Sequence, residues 1–375
     1  MKRLGILLVL ALVVLVLGCA VIFVVLPTFE QLGTQVGVSP APTTGAGPRL
    51  QTAWYAVYFT DPQYPDDPKT HHGSLDAHLV DLIDKATKTL DVAIYDFDLA
   101  NVAEAMVRAK ERKVSVRMVT DSDTLGNTKD EAVQAAFAKL EKAHIPIVAD
   151  GREAIMHDKF TVVDGEWVST GSWNYTDGDT YRLNNNMIVI HSKALAANYT
   201  AEFEKMFIKR QFGASKPKGV PFPTLTVDDA RMENYFAPQD NVADHVVATL
   251  QSAQKSIYFM AFSFTDDRIG EVVRSKAEAG LKVAGVFETT GSNTPYSEYG
   301  AMKKAGLEVY QDGNPYSMHH KVFILDEKTV IFGSFNFSES ADRSNDENLL
   351  IVEQPELART FKAEFDRVLA RAKSK

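Results

Sequence analysis

His157-Asp158-Lys159-Phe160-Thr161-Val162-Val163-Asp164 is followed, seven residues after its Asp, by Gly171-Ser172-Trp173-Asn174. The pattern returns as His319-His320-Lys321-Val322-Phe323-Ile324-Leu325-Asp326, with Gly333-Ser334-Phe335-Asn336 at the matching distance. A lone His-x-Lys carries no weight. Two copies that agree in His-to-Lys, Lys-to-Asp and Asp-to-Gly spacing are not a coincidence. Each copy predicts an apolar strand, a turn and a return strand ending at Gly-Ser. A His and a Lys two apart on a strand share one face, and the residue between them, Asp158 or His320, points to the other.

The duplication extends outward from these motifs. Thr89–Asp98 matches Lys255–Phe264, both apolar and strand-like. Helices are predicted before them, over 74–88 with Ser74 as N-cap and over 241–253 with Asn241 as N-cap. A second pair of strands is predicted over 114–121 and 281–288, and a third over 145–150 and 307–312. The last helix, from Pro355 to about Ala372, mirrors Ala194 to Arg210. Alternating strands and helices predict an α/β fold with two mixed sheets flanked by helices. The expected organisation is a membrane anchor over 1–26, a flexible linker over 27–52, a first half over 53–212, a linker over 213–226 and a second half over 227–375.

An ammonium group with neutral donors beside it suits a phosphoryl oxygen. An imidazole near neutral pH attacks phosphorus or moves a proton. One copy cannot do both, because attack needs a neutral histidine and leaving-group departure a protonated one. The two copies must therefore meet across the interface between halves, near a pseudo-twofold axis.

At this point the chain resembles the phospholipase D superfamily, whose signature is this motif, over roughly residues 53–370. The resemblance implies a duplicated phospholipase D-like domain and a phosphohistidine intermediate resolved by water or another alcohol, with no metal or other cofactor. It implies a catalytic set of His157, Lys159, Asp164, His319, Lys321, Asp326 and Glu347, with His157 the favoured nucleophile and His319 the general acid and base. Within that set Asp164 and Asp326 are expected to hold the motif backbone and its turn. Lys159, Lys321, Asn174 and Asn336 are expected at the phosphate, supported by Ser172 and Ser334. In the family an acidic residue near Glu347 bonds a catalytic imidazole. Here Asn345-Asp346-Glu347-Asn348 supplies one, but the first half reads Asn184-Asn185-Asn186, so Asn185 stands where an acid is expected. An amide orients a ring N–H without lending it charge, so the two histidines are expected to differ in pKa.

Met1-Lys2-Arg3 precedes an uncharged run, Leu4 to Leu26, long enough to span a bilayer. The basic flank predicts a cytoplasmic N-terminus and an extracytoplasmic catalytic region at the cell membrane. A cleaved signal peptide and a lipoprotein box around Cys19 are the alternatives. The next stretch, 33–49, rich in Gly, Pro, Ser and Thr, reads as a tether. Cys19 is the only cysteine, which excludes an internal disulfide and a cysteine cluster for zinc. The formal net charge of −9 opposes broad nucleic-acid binding, which depends on Lys and Arg neutralising phosphates. Membrane phospholipid is therefore the expected substrate and nucleic acid, cleaved by an exported endonuclease, the alternative. A non-catalytic surface adaptor is a third candidate, disfavoured by two complete motifs. No obligatory protein partner is expected, since one chain carries both copies. His71-His72 is expected in a solvated loop, and His320 is not expected to bind metal.

Overall fold

A computed structural model describes residues 50–374. The predicted anchor, residues 4–26, and the tether up to residue 49 lie outside the described residues. Among the described residues no helix is long and apolar enough to cross a membrane.

Each half builds an eight-stranded mixed sheet, and the strand order is the same in both. The first runs Leu50–Gln51, Tyr55–Phe59, Asn186–His191, Trp167–Gly171, Lys159–Val163, Thr89–Ile94, Ser115–Thr120, Ile147–Ala149. The second runs Thr224–Val227, Ala230–Ala237, Glu347–Glu353, Thr329–Gly333, Lys321–Leu325, Ser256–Ala261, Lys282–Phe287, Glu308–Gln311. The last three strands of each sheet are parallel. Parallel neighbours need crossovers, supplied by helices such as Ala100–Glu111 and Asp267–Glu278. The motif strands enter antiparallel, in the middle of each sheet.

Helices Leu75–Asp84, Ala100–Glu111 and Glu131–Lys142 cover the outer face of the first sheet, packing Leu79, Met106 and Phe137 around Leu90, Val92 and Met118. Val242–Ser252, Asp267–Glu278 and Glu298–Lys304 do the same for the second, with Val246, Ile269 and Met302 against Ile257 and Phe259. The inner faces of both sheets share one core with helices Lys193–Phe207 and Pro355–Lys373. There Tyr199 of the first half meets Phe236 of the second, and Phe59 meets Phe361. The central strands are buried on both faces, which is why they read as continuous apolar runs.

Two reciprocal clasps join the halves at the sheet ends. Leu183–Asn184 pairs in parallel with Ser317–Met318, and Met156 bridges Asp346. The backbone N–H of His157 donates to Asp346 O (2.9 Å), and that of His319 to Asn184 O (3.0 Å). Each motif histidine is thus pinned by its backbone to the opposite half, immediately before the residue that will meet its ring.

Three expectations need correction. The first strands align one residue later than the sequence comparison sets them: Ile94 pairs with Lys159 and Ala261 with Lys321, so Tyr95 corresponds to Phe262. A strand buried on both faces has no alternation to fix its register. Leu50–Gln51 and Thr224–Thr226, placed in linkers, belong to edge strands instead, the second running on to Val227, because Leu50 and Leu225 are buried in the shared core. His71 is not solvated. Its ring stacks on Tyr181 and lies between Asp66 (2.6 Å) and Asp177 (3.0 Å), and these carboxylates raise its pKa against the opposing effect of burial.

Candidate active site

The return strands end at Gly171 and Gly333, whose φ angles are 154° and 153°. A Cβ there would stand 2.3 Å from the carbonyl oxygens of Asn186 and Asn348. Only glycine lets the chain pass this close to the neighbouring strand. That approach sets Ser172 and Ser334 against the residues that follow the clasps.

His157 and His319 find their partners across the interface. His157 Nδ1 lies 2.8 and 2.9 Å from the two carboxylate oxygens of Glu347. His319 Nδ1 lies 2.9 Å from Asn185 Oδ1. Both partners present oxygen, so each ring carries its proton on Nδ1, leaving Nε2 free of any protein hydrogen bond among the described residues. The serines sit one layer behind. Ser334 Oγ donates to Glu347 Oε2 (2.6 Å) and Ser172 Oγ to Asn185 Oδ1 (2.8 Å). Both serines are fully buried. Each hydroxyl thus bonds the residue that meets the opposite half's motif histidine, one step removed from the place expected for a phosphate.

Lys159 and Lys321 are also buried, and each donates one N–H to the carbonyl of its own motif histidine (3.0 and 2.8 Å). Burial lowers the Lys159 pKa to about 8, against the pull of Glu347 and Asp179. Lys321 is pushed well below the ordinary lysine value, by burial first and by Lys159 second. The same burial, with the lysines, depresses both histidines, His319 to about 4. Four cationic or potentially cationic groups therefore face one another at the seam. An anion bound there would relieve that repulsion.

The side-chain carbonyl oxygens of Asn174 and Asn336 are buried and have no hydrogen-bond partner. Asn174 Nδ2 is turned to Asp179 Oδ1 (3.3 Å). Asp164 and Asp326 are at the far ends of the motif strands, away from the histidines. Asp164 accepts from the N–H groups of Thr87, Lys88 and Thr89 and from the Thr87 hydroxyl. Asp326 accepts from the N–H groups of Gln254, Lys255 and Ser256. Although burial opposes it, these bonds hold both carboxyl groups below the usual range. They tie each motif strand to the strand beside it and touch nothing in the cleft.

Three residues at the site lie outside the repeated motifs. Tyr95 and Phe262 wall the site: their rings lie 5.1 and 4.6 Å from those of His157 and His319, and Lys159 and Lys321 sit over them. Correct strand register would have paired them. The third is Asp179, on the short helix Asp177–Tyr181, whose Oδ1 is 3.3 Å from His319 Nδ1. Its position in the second half holds Ala341, so comparison of the copies gave it no mark. Behind the site, Asp158 and His320 face away from the cleft. His320 is held by Asn186 and Glu364, and Asp158 by Asn348. Burial raises the Asp158 pKa to about 7. Glu202, Lys216 and Asp346 form a buried ion network on the same level, at 2.5 and 2.6 Å. No group of His, Cys, Asp or Glu among the described residues is arranged to hold a metal ion.

The chain matches the family described as "Cardiolipin synthase, PLD-like domain" twice, over residues 79–207 and 246–369. A phospholipase D of Rickettsia felis is 28% identical over 159 residues, which is 42% of this chain and 80% of the relative. Human mitochondrial cardiolipin hydrolase is 32% identical over 129 residues, 34% of this chain and 51% of the relative. Phosphatidylserine synthase of Haemophilus influenzae superposes with a TM-score of 0.61 over 87% of this chain and 88% of that one, at 13% identity, a likeness of fold alone. Matched in both of its halves, the chain belongs to the PLD-like domain family of the phospholipase D superfamily and is a phosphodiesterase.

Proposed function

We propose that this phosphodiesterase hydrolyses headgroup phosphodiesters of membrane phospholipid in two displacements on one histidine. The observation that carries it is the crossed pair of Nδ1 bonds, which leaves two Nε2 atoms beside two lysines. His157 Nε2 forms a bond to phosphorus while the bond from phosphorus to the headgroup oxygen breaks, and His319 gives its Nε2 proton to that oxygen. Water then attacks phosphorus, His319 takes its proton, and the N–P bond breaks to release phosphatidic acid. An alcohol in place of water gives transphosphatidylation. Lys159 and Lys321 bind the non-bridging oxygens, with Asn174 and Asn336 at the rim.

The asymmetry of the partners supports the assignment of roles. Phosphorylation makes a ring cationic, so the nucleophile gains most from a carboxylate in direct contact, as His157 has in Glu347. A general acid must release its proton, which suits a ring bonded to an amide. Lipid is favoured over nucleic acid by the net charge of −9 and by the names of the relatives, phospholipase D and cardiolipin hydrolase. The apolar run Leu4–Leu26 would tether the enzyme at the cell membrane with its catalytic halves outside the cytoplasm. Turnover on mixed-lipid vesicles and on single-stranded DNA, in EDTA, with His319→Ala as control, tests the proposal. Headgroup release lost in the variant supports it. DNA cleavage with intact lipid makes the protein a nuclease instead.

A further inference from the structure

The two halves differ at two positions in a way that looks like an exchange. Where the second half has Ala341 and Glu347, the first has Asp179 and Asn185. One residue of each pair, Glu347 or Asn185, bonds a catalytic histidine. In the second half the glutamate meets His157 directly and Ala341 is inert and buried. In the first, the amide oxygen of Asn185 meets His319, while Asn185 Nδ2 donates to Asp179 Oδ1 (3.1 Å) and to the Asp179 carbonyl (3.0 Å). The same Asp179 oxygen accepts from the N–H of Asn174 (3.2 Å) and stands 3.3 Å from His319 Nδ1.

The orientation of Asn185 follows from its neighbours. Its oxygen must face two donors, Ser172 Oγ and His319 Nδ1, so its nitrogen must face a carboxylate. Asp179 is buried, yet His319 and the donors around it hold its carboxyl below the usual range, hence ionised. A buried anion beside a buried imidazole, surrounded by Lys159, Lys321, His157 and Asp96, is the strongest local influence favouring the protonated ring.

We propose that Asp179 is the anionic partner of His319, displaced six residues along the chain from the place that Glu347 occupies for His157. It acts as a positioning residue. It fixes Asn185, and through space it lends His319 the charge an amide cannot supply. The arrangement gives His319 a weaker hold on its proton than a direct carboxylate would. Such a ring delivers a proton to a leaving alkoxide and recovers one from water. The inference rests on His319 serving as general acid and base, as proposed above.

The test compares Asp179→Asn, Asp179→Ala, Asn185→Glu and the double variant Asp179→Ala/Asn185→Glu in the full chain. Substrates are phosphatidylcholine–phosphatidylglycerol vesicles and bis(p-nitrophenyl) phosphate, whose leaving group departs without help from an acid. Asp179→Asn keeps shape and most hydrogen bonds. It should lower headgroup release about tenfold or more in kcat and move the alkaline limb of the pH profile down by about one unit. First-turnover nitrophenolate release should change by less than about threefold, since that step needs no general acid. Asn185→Glu alone puts two carboxylates side by side and should lose activity. The double variant recreates the Ala341–Glu347 arrangement and should recover most of what Asp179→Ala loses. Equal losses on both substrates with an unmoved pH limb, or a double variant no better than Asp179→Ala, overturns the proposal. A parent protein inactive on vesicles but active on the nitrophenyl ester refutes the lipid substrate instead. The comparison then passes to single-stranded DNA, whose alkoxide needs the same proton.

Discussion

Glu347→Gln isolates the value of one charge delivered across the interface. The substitution keeps size and both acceptor contacts, those from Ser334 Oγ and His157 Nδ1, but removes a carboxyl group that burial pushes well above the usual range against the pull of Lys159 and Ser334, so that its full charge is drawn out only as the ring beside it becomes cationic. Glu347 is fully buried. In such a site the attraction between a carboxylate and a cationic ring about 4 Å away, at an effective dielectric near 20, is about 4 kcal/mol. That attraction is absent while His157 is neutral and grows as the N–P bond forms, so it belongs to the transition state. An amide dipole retains part of it. A net loss of about 2–3 kcal/mol lowers kcat roughly 30- to 150-fold, with KM little changed. Rapid-quench single-turnover headgroup release, followed between pH 5 and 9 on protein shown to be folded by near-UV circular dichroism, reads this directly. The first half already runs its histidine on an amide. If Glu347→Gln stays within about threefold of the parent at every pH, direct carboxylate contact does not matter. His157 would then lose its claim to the nucleophile's role.

Other outcomes follow from the same geometry. Residues 220–375 alone should show no turnover, because His319 then lacks Asn185 and Glu347 lacks His157; recovery on mixing with the first half would show that the clasps re-form. Lys216→Met should destabilise the fold by about 3–5 kcal/mol in urea denaturation, since it leaves Glu202 and Asp346 buried beside each other without their shared cation. A loss below about 1 kcal/mol would show that Lys205, 2.9 Å from Glu202, and Arg152, paired with Asp346, carry the network. Asp164→Ala should cost about 1–2 kcal/mol at pH 7, solvent exposure keeping the figure low, with kcat little changed. Because the carboxyl pKa is lowered in the folded state, this contribution is complete above the ordinary carboxylate range and is lost as pH falls through the lowered value. The stability gap between parent and variant should therefore start to narrow below about pH 4 and close beneath the lowered pKa, and a gap that does not narrow over that range refutes the capping role.

The α/β class, the duplication and the pairing of the two motifs were legible in sequence because each is a local or repeated pattern. Spacing alone brings His157 and Lys159 to one face, and the presence of two incomplete copies requires that they meet. Charge and the apolar run at 4–26 likewise bear on substrate and location from sequence alone. Tertiary structure alone decided which half supplies each imidazole partner. The clasp that pins His157 to Asp346 and His319 to Asn184 joins residues far apart in the chain, and nothing local marks a contact across a pseudo-twofold. Tertiary structure also moved Ser172 and Ser334 behind the site and brought Asp179 into it. A serine next to a phosphate and one next to an imidazole partner have the same neighbours in sequence, and an aspartate opposite an alanine breaks the repeat by which the rest of the site was found. Repetition reveals what the halves share. The differences that give two chemically equal histidines unequal work depend on how the side chains pack where the halves meet.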